Sequence, residues 1–72
     1  MMYFVEIGIN DKKDEYNFVI RYLFTHDKAK NRKDAAQKAK DLAIKMMRTI
    51  ADNNEERMKD FDIHCASAWE KE

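Results

Sequence analysis

Apolar residues occupy every second position from Tyr3 through Val5 and Ile7 to Ile9, with Phe4, Glu6 and Gly8 between them. A period of two is the mark of a β-strand, whose side chains point alternately to opposite faces. The all-polar run from Asn10 to Glu15 reads as a hairpin turn. Tyr16, Phe18, Ile20, Tyr22 and Phe24 then alternate in a second strand rich in aromatic and β-branched types. After the polar connection from His26 to Lys33 the period changes. Ala36, Ala39, Ala43, Met46, Met47 and Ile50 recur at helical spacing through about five turns. Asn31 is the expected N-cap, and Asp34, three residues on, takes the second position of a capping box. Asn53-Asn54 is the expected stop, since Asn tolerates left-handed C-cap geometry. Glu55 to Asp60 reads as a charged loop or extra turn. Phe61, Ile63 and Cys65 alternate with Asp62 and His64 as a third strand that could run on to Trp69.

Residues 1–72 therefore predict a single α+β domain in the order β-β-α-β. The short turn makes the first two strands antiparallel, and the long helix reverses the chain before the third. The expected fold is a three-stranded antiparallel sheet, order 2-1-3, with the helix packed on one face. The alternative, a third strand parallel to the second, would need a right-handed crossover.

The helix-facing side is expected to hold Tyr3, Val5, Ile7 and Ile9, with Phe18, Ile20, Tyr22 and Phe24, then Phe61, Ile63 and Cys65. Cys65 would then be a buried free thiol and His64 an exposed neighbour. Trp69 is expected to cap the core, the alternative being a partner anchor. The small alanines at the helix start should let it approach the sheet more closely there than at its methionine-rich end. On the opposite face a half-solvated sheet should be polar. Phe4, Val19 and Leu23 break that rule, joined by Ala66 and Ala68, with Glu6, Arg21 and His64 among them. Three large apolar residues on adjacent strands can merge into one patch. Phe4, Val19, Arg21, Leu23 and His64 are thus the first candidate binding surface.

Charge adds a second candidate. The chain is neutral overall, with 14 basic and 14 acidic residues, so bulk attraction to nucleic acid or membrane is not implied. Its distribution is uneven. Lys28, Lys30, Arg32, Lys33, Lys38, Lys40, Lys45 and Arg48 face only Asp34 and Asp41 between positions 28 and 48. Lys33, Gln37, Lys40, Ile44 and Arg48 fall within about 80° on a helical wheel. Lys30, Arg32 and Lys33 crowd the helix start, where the macrodipole is already positive, an arrangement an anion would relieve. Lys30, Arg32, Lys33, Lys40, Ile44 and Arg48 form this basic face; the alternative is a solvated helix surface.

Catalytic chemistry is not legible. His26 and His64 lie in different elements with no Cys or carboxylate at metal-ligand spacing, so no metal site is expected. His64 and Cys65, adjacent on one strand, point to opposite faces and cannot form a nucleophile–base pair. One glycine cannot build a phosphate loop, and the paired carboxylates Glu55-Glu56 sit in a charged, wet loop that offers no site for acid–base chemistry. The expectation is no enzyme and no cofactor. No apolar run approaches the roughly 20 residues of a membrane span, and the start, Met1 to Glu6, has no signal-peptide pattern. A lone cysteine excludes an internal disulfide and suits the cytoplasm. A domain this small has a marginal core, which favours an economical interior or a partner chain.

Tyr16 to Thr25, followed by Asp34-Ala35-Ala36-Gln37-Lys38-Ala39 and the strand from Phe61, resembles the plan of small phage-encoded proteins. Among these are anti-CRISPR proteins and other inhibitors of host defence. The resemblance is one of architecture and assigns no residue a role. It implies an inhibitor that occupies a site on a larger protein or nucleoprotein complex in the host cytoplasm, with a homodimer through the apolar face as a further expectation. Nucleic-acid binding through the basic helix face is the second reading. The chain also resembles small antitoxins of strands and one helix, but lacks their Pro- and Gly-containing segment, which puts that reading third.

Overall fold

The structure, a computed structural model, describes residues 1–71. Strands β1 (Met2–Asp11), β2 (Tyr16–Thr25) and β3 (Phe61–Lys71) form one sheet, with helices α1 (Arg32–Ile50) and α2 (Glu55–Met58) between β2 and β3. The sheet order is β2-β1-β3, and both pairings are antiparallel. The fold class and strand order are those the pattern predicts.

β1 is the hub. It pairs along its whole length with both neighbours, from Met2↔Thr25 to Asp11↔Tyr16 on one side and Met2↔Lys71 to Asp11↔Phe61 on the other. Its odd positions Tyr3, Val5, Ile7 and Ile9 are buried beneath Ala35, Ala39, Ala43 and Met47 of α1. Alanine has no side chain beyond Cβ, so the helix backbone comes close to the strand. Its spacing of four residues draws one ridge of small side chains, inclined to the helix axis. Burying a Val or Ile side chain contributes about 1.5–3 kcal/mol, and Val5, Ile7 and Ile9 are the largest fully buried ones.

The helix ends follow from their caps. Asn31 Oδ1 accepts from the Asp34 N–H at 2.8 Å, and an Asp34 carboxylate oxygen accepts from the Lys30 N–H at 2.9 Å. Asn31 caps as expected, while Asp34 reaches back one residue beyond the N-cap, and its hydrogen bonds from the Lys30 N–H and the Lys38 side chain hold its carboxyl below the ordinary pKa. α1 stops one step before the predicted Asn53-Asn54. Ala51 is the C-cap, and Asp52 and Asn53 take left-handed φ values of 55° and 58°. Asn54 instead caps α2, its side chain accepting from the Glu56 and Arg57 N–H groups.

Four expectations about individual side chains are corrected. β3 carries an irregularity: Ile7 pairs with Cys65 but Glu6 pairs with Ser67, leaving Ala66 as the extra residue of a β-bulge. A bulge resets the alternation, so Ala68 turns to the helix side and packs on the core instead of joining the open face. Trp69 accordingly points to the open face rather than capping the core. Cys65 is exposed, not buried, because it lies on an outer strand beside the bulge. Ile50, at the end of the predicted apolar stripe, is 63% exposed, since the buried seam runs through Ala35 and Met47 rather than Ala36 and Ile50.

Candidate functional site

Cross-strand registers assemble the open face in three rows. Leu23, Phe4 and Trp69 form one, Arg21, Glu6 and Ser67 the next, and Val19, Gly8 and His64 the third. All five residues of the expected apolar surface, Phe4, Val19, Arg21, Leu23 and His64, lie on this face. Leu23 and Val19 are 54% and 56% exposed. The Phe4 and Trp69 rings stack with centroids 5.5 Å apart and planes 9° from parallel. Stacking two rings on a solvent-facing sheet gives a flat, rigid apolar platform at one end of the molecule, edged by Leu23 and by the exposed Met2.

The patch is not continuous. Arg21 reaches Glu6 at 3.6 Å across β1 and β2 and separates Leu23 from Val19 with a polar row. At the third row His64 lies over Gly8, and a Cβ there would stand 2.7 Å from His64 Nε2. Glycine is needed here for that approach. His64 Nδ1 lies 3.7 Å from Asp62. The strong end of the surface is therefore Leu23–Phe4–Trp69. Trp69 was hidden from sequence reasoning by the bulge; its two-residue offset from Ser67 would have given the right face only if Ala66 were known to be extra.

The basic residues of α1 do not form one free surface. Arg48 is tied to Glu55. Lys40 and Ile44 are half-buried on one flank of the helix, while Lys30, Arg32 and Lys33 stand exposed at its start. Lys38 pairs with Asp34 at 3.0 Å and donates to the Lys28 carbonyl at 2.7 Å. Among the described residues no ion pair holds Lys30, Arg32, Lys33 or Lys40, and no cluster of His, Cys, Asp and Glu has metal-binding geometry. No helix among the described residues is long and apolar enough to cross a membrane.

A third surface was not legible in the sequence. α1 lies over β1 and β3, so the helix-side row of β2 (Tyr16, Phe18, Ile20, Tyr22, Phe24) is only partly covered. Two grooves follow it. One, of about 620 Å³, runs between Phe24 and the Lys38–Leu42–Lys45 flank of α1; the other, of about 380 Å³, lies among Tyr16, Phe18, Ile50 and Phe61. Partial burial holds the Tyr22 phenol above its ordinary pKa. Alternation tells which face a residue is on, but not which strand the helix covers.

No protein-family model, no curated protein and no solved structure matches this chain.

Proposed function

We propose that this protein acts without catalysis, by occupying a site on a larger protein through the Leu23–Phe4–Trp69 end of its open sheet face. The observation that carries this reading is the stacked Phe4–Trp69 pair left on the solvent side of the sheet. Aromatic anchors with an apolar neighbour are the usual centre of a protein interface, and the Arg21–Glu6 row gives such a centre a polar rim. The architectural resemblance to phage-encoded inhibitors makes a host-defence complex, anti-CRISPR fashion, the first target class to try, with the host cytoplasm as the place of action.

Phage plating on a host with CRISPR immunity tests it. Expression of the wild-type chain is expected to restore plaques, and Leu23→Asp and Trp69→Ala to abolish the effect while keeping the circular-dichroism spectrum. Equal plating with wild type and variants would remove this surface from the reading.

The basic start of α1 supports a second reading, nucleic-acid binding. Lys30, Arg32 and Lys33 are exposed together there. Each phosphate contact steepens the salt dependence of binding. An anisotropy titration with duplex and single-stranded DNA at two salt concentrations decides it, and absence of binding at low salt ends it.

A further inference from the structure

We propose that β2 is a homodimerisation edge: a second copy of this chain pairs with it antiparallel about a two-fold axis, giving one continuous six-stranded sheet. The sheet has two outer strands, and they differ. β3 is blunted by its Ala66 bulge and by Asp62, His64, Glu70 and Lys71. Bulges and charges of this kind keep sheet edges from pairing. β2 has none of these defences. Its ten residues contain no Pro, no Gly and a single charge, Arg21, and its register with β1 runs without a shift. The side chains flanking this free edge are the aromatic row that α1 leaves partly uncovered and, on the open side, Val19 and Leu23 on either side of Arg21. The chain carries no net charge, so no net charge–charge repulsion opposes a second copy at long range.

Symmetry selects the register. A two-fold axis perpendicular to the sheet keeps both helices on the same face and sets only same-face residues opposite one another. Two registers use nearly the whole strand. One centred on Arg21 sets Arg21 against its own copy, an unfavourable like-charge pair. The other, centred on Ile20, sets Arg21 opposite Val19, Phe18 opposite Tyr22 and Tyr16 opposite Phe24. It thus pairs aromatic with aromatic along the uncovered row, the most favourable cross-strand contacts. The occupant of the edge is therefore a second copy, centred on Ile20.

Sedimentation equilibrium from low to high micromolar protein tests this together with hydrogen exchange. The wild-type chain is expected to dimerise, with slow exchange along the outward amides of β2 and not of β3. Val19→Lys places a cation against Arg21 of the second copy at two symmetric positions and should weaken the dimer about tenfold. Val19→Glu places an anion there and should keep or tighten it. This opposite response separates edge pairing from docking by the apolar face, which both charges would disrupt. A chain monomeric at all concentrations overturns the proposal. So does a dimer whose outward β2 amides exchange freely, a result that needs no variant, and so does an equal loss with both substitutions.

Discussion

Arg57 forks onto Asp11: Nη2 lies 2.5 Å from Oδ2 and Nη1 donates to Oδ1 at 3.0 Å. The pair joins α2 to the end of β1, 46 residues apart. Asp11 is the one buried charged residue among the described residues, and it is fully engaged. Its Oδ1 also accepts from the Lys13 and Asp14 N–H groups at 3.1 and 3.3 Å, which shapes the hairpin turn. Arg57 reaches Asp14 and Asp60 as well and lies 4.5 Å over the Phe61 ring. One guanidinium thus ties the turn, the second helix and the start of β3 together, in a molecule whose principal extents are 39 × 20 × 14 Å. A slab so thin has little interior, and fixed polar joints at its end matter accordingly.

Acid should loosen this joint. The Arg57 hydrogen bond holds the Asp11 carboxyl at about 2, against an ordinary value of 3.8. A carboxyl whose pKa is lower folded than unfolded stabilises the fold above its unfolded value and loses that contribution as pH falls through the folded one. Chemical denaturation followed from pH 5 to pH 2 is expected to show stability declining below about 4. Asp11→Asn should be less stable at neutral pH and flatter over this range. An unchanged slope would assign the acid response to other carboxylates.

Removing the helix cap tests the other end of the long helix. Asn31→Ala loses the bond to the Asp34 N–H and should cost about 1 kcal/mol, whereas Asn31→Asp or Asn31→Ser should nearly retain stability. Urea melts of the three variants make the comparison.

The alanine seam predicts intolerance of size. Ala39 is fully buried against the sheet. Ala39→Leu must push α1 away from β1 and should cost about 1–3 kcal/mol or more, as overpacking does. Leu42→Ala, at an exposed position one turn round the helix, should stay within about 0.5 kcal/mol. Equal effects would mean the seam is not closely packed.

Glu15 closes the hairpin with φ at 52°, in the left-handed region. A side chain with a Cβ is disfavoured there, and Asn tolerates it best after Gly. Glu15→Asn should therefore raise stability by a few tenths of a kcal/mol, measured as a higher urea midpoint with an unchanged slope.

Strands, helix and order were legible because each rests on local rules: period two, period 3.6, and a cap signalled by Asn31 and Asp34. The faces of β1 and β2 followed from the same alternation, so Phe4, Val19, Arg21 and Leu23 fall where the pattern puts them. What the sequence hid was set by neighbours. Nothing local marks Ala66 as the residue that β1 leaves unpaired, so the orientation of Ala68 and Trp69 was missed. Wheel geometry places Lys40 and Ile44 beside Arg48 but is blind to the contacts that half-bury the first two and to Glu55, which neutralises the third. The uncovered row of β2 depends on a lateral shift of α1 that residue types on the helix do not encode.

The extra residue in β3 makes the strand from Ser67 onward behave like text after an inserted letter. Excising Ala66 would leave Ser67 opposite Glu6 and Trp69 opposite Phe4, a regular ladder with the same faces. Pairing Ala66 in line would instead set Ala68 opposite Phe4 and Trp69 opposite Tyr3, turning Trp69 beneath the helix and dissolving the aromatic platform. For this short chain, then, one unpaired small residue decides on which side its single tryptophan stands.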